Sequence, residues 1–137
     1  MLATLGFGLH LLAALGVLGL AAKYAFGPVP ADYHAQIFER GGVSPAPAVL
    51  TVLRAVYLAL AGMLVAVAIG IAALSLSAWQ SGGTASTFLA LSAMALAAGG
   101  VSGLATLQVE RATGVRTPWR PAFGLAAIVL LGALLLL

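Results

Sequence analysis

Apolar residues run almost unbroken through four stretches of the chain, and polar residues gather in the gaps between them. The clearest stretch is Ala55–Ala78, twenty-four residues without a charge. A helix rises about 1.5 Å per residue, so about 20 apolar residues suffice to span a bilayer core. The pattern predicts helical spans over about 2–26, 45–79, 85–110 and 121–137. Lys23, Tyr24 and Phe26 close the first span, tyrosine and lysine being suited to a lipid–water boundary. Gly27-Pro28 then breaks the helix.

The segment PADYHAQIFER follows, and it predicts a short surface helix at about 31–40. Asp32 is placed to cap it, Tyr33, Ile37 and Phe38 give it an apolar side, and Gly41-Gly42 ends it. Ser44-Pro45 is a start signal for the second span, serine as N-cap and proline in the first turn. Arg54 stands at the near boundary of that span and Trp79 anchors its far end. The connection Gln80–Thr84 is short, which makes the second and third spans antiparallel neighbours. Glu110-Arg111 marks the exit of the third span, and the turn formers of Ala112–Arg120 lead to Pro121, which opens the last. That span gives only about 24 Å of helix, so support from its neighbours or from another protein is expected.

The fold class read from this pattern is an all-α integral membrane protein. Four antiparallel transmembrane helices form a single membrane domain over 1–137, with a short interfacial helix between the first two. Composition agrees. Of 137 residues, 63% are hydrophobic and 7% are charged, against about 25% charged in a soluble domain. No cysteine is present, which excludes disulfides, thiolate metal sites and thiol redox chemistry.

Charge sets an orientation. Lys23, Arg40, Arg54, Arg111, Arg116 and Arg120 all lie after the first span or after the third, as do Asp32, Glu39 and Glu110. Those loops share one side, and the positive-inside rule makes it cytoplasmic. The expected localisation is the bacterial inner membrane, multi-pass, with both termini periplasmic. The N-terminus is not read as a cleavable signal peptide, because Lys23 follows the apolar run instead of preceding it. The net charge of +3 comes from these helix-end residues. It points to phospholipid head groups and to topology, not to nucleic acid.

Candidate chemistry is sparse. His10 is the ionisable side chain placed well inside a span, and such residues are functional candidates. Gly6 lies one turn before it and leaves a face open to a flat macrocycle. This small-xxx-His arrangement of Gly6 and His10 resembles the pigment-binding helix of light-harvesting polypeptides, which implies bacteriochlorophyll or haem ligation by His10. A haem held by two histidines needs a partner at similar depth, and His34 falls on the opposite side. The alternative is a neutral His10 bonded to a neighbouring helix or to interfacial water near the outer end. Asp32, His34 and Glu39 form a local cluster, but residues two apart diverge on a helix, so no metal site is expected. Tyr33 and His34 are placed to meet a lipid head group or a quinone ring. Thr4, Ser75, Ser77, Ser92, Ser102 and Thr106 have no expected base or acid at depth, so no catalytic residue is assigned and the protein is not read as an enzyme.

Small residues recur at every fourth position, Gly62, Ala66 and Gly70 in the second span and Ala95, Gly99 and Gly103 in the third. Such stripes let helix backbones approach. They serve either packing inside the four-helix unit or docking of another membrane protein subunit. The expected function is a non-catalytic accessory subunit of a larger inner-membrane complex, respiratory, photosynthetic or transport. The alternatives are a haem- or bacteriochlorophyll-binding protein through His10, or a small homo-oligomeric transporter or channel.

Overall fold

The computed structural model describes residues 1–136. Leu137, the last residue of the expected fourth span, lies outside them. The chain is helical throughout: α1 Leu2–Phe26, α2 Asp32–Arg40, α3 Pro47–Ser81, α4 Ala85–Met94, a π-helical segment Ala95–Val101, α5 Ser102–Thr113 and α6 Trp119–Leu135. α1, α3 and the continuous rod Ala85–Thr113 are each long and apolar enough to cross a membrane, and α6 is a shorter apolar helix. In length and composition this architecture is compatible with a helical membrane protein.

Several helix ends differ from the sequence expectation by a residue or two. Asp32 does not cap α2: Ala31 holds the N-cap position, and Asp32 is the first helical residue. There its carboxylate still faces the positive end of the helix. Helix α3 starts at Pro47 behind Ala46, two residues after the Ser44-Pro45 signal, because a second proline supplies the same fixed φ at N1. Helix α6 begins at Trp119, before Pro121, which therefore sits in the first turn where its missing N–H costs nothing. Thr84 caps α4 by accepting from the Thr87 N–H. Gly114, at φ 66°, ends α5 in the left-handed conformation that glycine tolerates best.

The helices lie antiparallel around α1 and α6. Helix α1 packs along α3 on one side and α6 on the other, and α6 packs on α4, the π segment and α5. The core is built largely of small side chains: Ala13, Ala14, Ala68, Ala78, Ala95, Ala126 and Ala133 are buried, with Val17, Ile71, Leu91 and Val129 among them. Small cores let backbones approach until dispersion contacts replace a hydrophobic drive. Large residues point the other way. Leu12, Leu15, Val52, Met63, Ile69, Leu89, Leu96 and Leu131 are all exposed. An apolar surface this extensive belongs against lipid or protein, not water.

The two ends of the bundle differ in charge. At one end Phe7 stacks on Trp79 with ring centroids 5.1 Å apart, and the Thr84 turn meets the end of α6. At the other, every charged side chain gathers. Lys23 pairs with Asp32 at 3.7 Å, Arg120 pairs with Glu110 at 3.2 Å, Arg40 donates to the Thr113 carbonyl and Arg54 to that of Gly27. Glu110 also accepts from the Thr117 N–H at 2.8 Å, while the Thr117 hydroxyl donates to the Thr106 carbonyl. The loop between α5 and α6 is thereby folded back and aims α6 into the bundle.

Candidate functional site

Two polar constellations and one cleft stand out. The first surrounds His10. Its side chain is fully buried between α1, α3 and α6. Nε2 lies 2.9 Å from the Val129 carbonyl oxygen, which can only accept, so Nε2 carries the proton. Nδ1 then accepts from the Ser75 hydroxyl at 2.8 Å. Two glycines make room. A Cβ on Gly132 would stand 2.7 Å from Nε2, and one on Gly6 would stand 2.7 Å from the Gly132 carbonyl oxygen.

The expectation that Gly6 leaves a face for a macrocycle is therefore corrected: the backbone of α6 fills that face. Both imidazole nitrogens are engaged, so neither is free as an axial ligand for haem or bacteriochlorophyll. The expectation that Ser75 has no base at depth is also corrected. His10 lies eight residues from the start of α1 and Ser75 six from the end of α3. At about 1.5 Å per residue these are matching depths in antiparallel helices, a signal the sequence did carry. Enclosed in this way, the Ser75–His10 pair is fully buried and joins three helices.

The second constellation holds α2 at the charged end. The Tyr57 hydroxyl accepts from the Ala31 N–H at 3.1 Å and donates its own proton to His34 Nδ1. Tyr57 is 3% exposed, and it stacks on the His34 ring. Its role was hidden in the apolar run of the second span. Burial holds His34 below its ordinary pKa, in keeping with a neutral ring that accepts from Tyr57. Asp32, His34 and Glu39 are drawn apart: Asp32 turns to Lys23, His34 to Tyr57, and Glu39 is exposed.

The cleft arises because α3 and the rod Ala85–Thr113 diverge. They leave the Gly82–Thr84 turn in contact at α4, but α3 does not pack closely on the π segment or α5. Between them lies an apolar cavity of about 280 Å³. Its floor is α1 and α6, with Val17, Leu20, Leu125 and Val129. Leu60, Leu64 and Val67 of α3 face Ala98, Gly99 and Ala105 across it. Met94 narrows it near Gly70, its methyl 2.7 Å from where a glycine Cβ would stand. At the charged end it reaches Tyr24, Tyr33, Thr106 and Pro118. Tyr24 and Tyr33 face each other with their hydroxyl oxygens 3.5 Å apart.

The small-residue stripes divide. Ala95, Gly99 and Gly103 pack inside the unit: a Cβ on Gly99 would meet Ala126 at 2.7 Å, and one on Gly103 would meet the Phe123 ring at 2.8 Å. Gly62 and Ala66 are exposed, and nothing lies within 4 Å of a Cβ built on Gly62. No protein family, curated protein or solved structure matches the chain.

Proposed function

We propose that the chain crosses the bacterial inner membrane four times, with both termini periplasmic and the charged end in the cytoplasm. We infer that it works without catalysis, as an accessory subunit packed against a larger membrane complex of respiratory, photosynthetic or transport kind. The observation that carries this reading is the outer face of α3. Ala55, Ala59, Gly62 and Ala66 are all exposed and share one side of the helix. Lipid places no demand for small side chains, whereas close approach of a partner helix does. Only 22% of the α3 span window is buried inside the bundle, and 17% of that of Ala85–Thr113. Helix α6, seventeen residues long, is short for a span and gains from neighbours. Arg111 and Arg116, exposed at the charged end, are placed to meet phospholipid phosphates.

The test is extraction in mild detergent, native separation and mass spectrometry of what comigrates. Stoichiometric migration with a larger membrane complex is expected, and Gly62→Leu with Ala66→Leu is expected to abolish it while leaving the bundle folded. A chain that runs alone, or only with copies of itself, overturns the accessory role.

A further inference from the structure

We propose that the cleft between α3 and the π segment holds one isoprenoid quinone, its ring at Tyr24 and Tyr33 and its tail along the apolar walls. The inference rests on the membrane placement proposed above, but not on the accessory role.

The shape of the site sets the kind of molecule. The cleft opens sideways between two helices, so an occupant enters from lipid. Its volume of about 280 Å³ lies near the low end of ligand pockets, about 300–1,000 Å³. That suits one narrow chain better than the two chains of a glycerolipid. Apolar residues line it from Met94 to the tyrosines, and its polar side chains are all hydroxyls.

The charge of the head follows from what surrounds it. Among the described residues no charged side chain lines the cleft. The nearby cations are engaged elsewhere: Lys23 on Asp32, Arg120 on Glu110, Arg40 and Arg54 on backbone carbonyls. A phosphate head would call for a guanidinium fork, and none faces it. What the site offers is phenol protons. Tyr24 and Tyr33 carry one each, and a single long contact of 3.5 Å lies between them. At least one O–H therefore has no acceptor among the described residues. Burial raises the Tyr33 pKa, so its hydroxyl remains a donor at every working pH. A quinone presents carbonyl oxygens that accept hydrogen bonds and carry no charge, which is the complement of this mouth.

The experiment uses the full chain in phosphatidylcholine nanodiscs with tritiated ubiquinone-2 as probe, read by scintillation proximity with empty discs subtracted. Saturable binding of one probe per chain is expected. Tyr24→Phe with Tyr33→Phe, which removes both donors and keeps both rings, is expected to weaken binding about tenfold. Ala98→Phe, which fills the cleft from the π segment, is expected to lower the number of sites. Unlabelled phosphatidylglycerol and diacylglycerol are expected not to displace the probe. Circular dichroism checks that each variant keeps its helices. Non-saturable uptake, wild-type binding by folded variants of both kinds, or displacement by either lipid overturns the proposal. Carbonate-resistant insertion is scored on the same samples. A chain that fails to insert overturns the membrane placement and the quinone site together, whereas one that inserts and binds no quinone overturns the site alone.

Discussion

A single buried imidazole ties three helices together, and its geometry dictates what its loss costs. His10 bonds one helix through Ser75 and another through the Val129 carbonyl. Ser75→Ala removes the donor to Nδ1 and leaves a buried acceptor unpaired. His10→Ala frees the Ser75 hydroxyl, which then falls back on its own helix. Interhelical hydrogen bonds in membranes couple by about 0.6 kcal/mol on average and at most about 1.7. A double-mutant cycle on His10→Ala and Ser75→Ala, measured by unfolding in mixed detergent, should return a coupling in that range. Additivity within about 0.3 kcal/mol would show that the pair contributes no shared energy. The bond to Val129 depends on Gly132, because any Cβ there would occupy the imidazole's place.

At the scale of elements, α2 is the piece most loosely held. It has no buried residue of its own, and beside the surface contacts of Asp32 with Lys23 and of Arg40 with the Thr113 carbonyl its attachment runs through Ala31, His34 and the Tyr57 hydroxyl. Removing that hydroxyl in Tyr57→Phe leaves the Ala31 N–H without its acceptor, at a cost of about 1–3 kcal/mol. Hydrogen exchange across 31–40 should quicken in the variant. Protonation acts on the same contact. Burial depresses the folded-state pKa of His34 below its ordinary 6.5. The folded state thus binds fewer protons than the released one, and attachment is fully present above about pH 6.5. It weakens as pH falls below that value. Protection across 31–40, the slowing of exchange relative to an unstructured chain at the same pH, should be higher at about pH 7.5 than at about pH 5, and unchanged protection between the two would refute the role of His34. The π segment is a second element-scale feature. Gly99 and Gly100 offer no side chain to hold an α-helical pitch, and Gly99 is pressed against α6.

For the whole molecule, the separation of charge is the dominant fact. All nine charged side chains lie at one end of the bundle, and six of them, Lys23, Asp32, Arg40, Arg54, Glu110 and Arg120, are joined to each other or to backbone carbonyls. The far end, with Phe7 on Trp79, carries none among its side chains. If that asymmetry sets insertion, a reporter active only in the periplasm should work when fused after Leu137, and one active only in the cytoplasm should not. The opposite pattern would invert the proposed topology. Shifting the balance tests the cause. Neutralising Arg111, Arg116 and Arg120 together should mix the orientations, because each basic residue near a span end contributes to retention on the cytoplasmic side.

How far the sequence reaches can be judged from particular residues. Composition and the uninterrupted run Ala55–Ala78 by themselves determined an all-helical chain with three long apolar helices and a shorter one, since these depend on local apolarity and the rise of a helix. The turn signals at Gly27-Pro28, Gly41-Gly42, Gly82 and Gly114 likewise act within a few residues of themselves. Only the tertiary structure decided which faces meet. The depth match of His10 and Ser75 becomes a bond because Gly6 and Gly132 let α1 and α6 close on each other. The two small-residue stripes read alike in sequence, yet one packs on α6, while the other faces outward at Gly62 and Ala66 and meets Met94 at Gly70. The cleft exists because α3 and the rod Ala85–Thr113 part beyond α4. Lipid and protein are both apolar surroundings, so hydropathy alone does not tell an inward face from an outward one; that choice is made by shape, where small residues let backbones close and His10 finds its partners on two other helices.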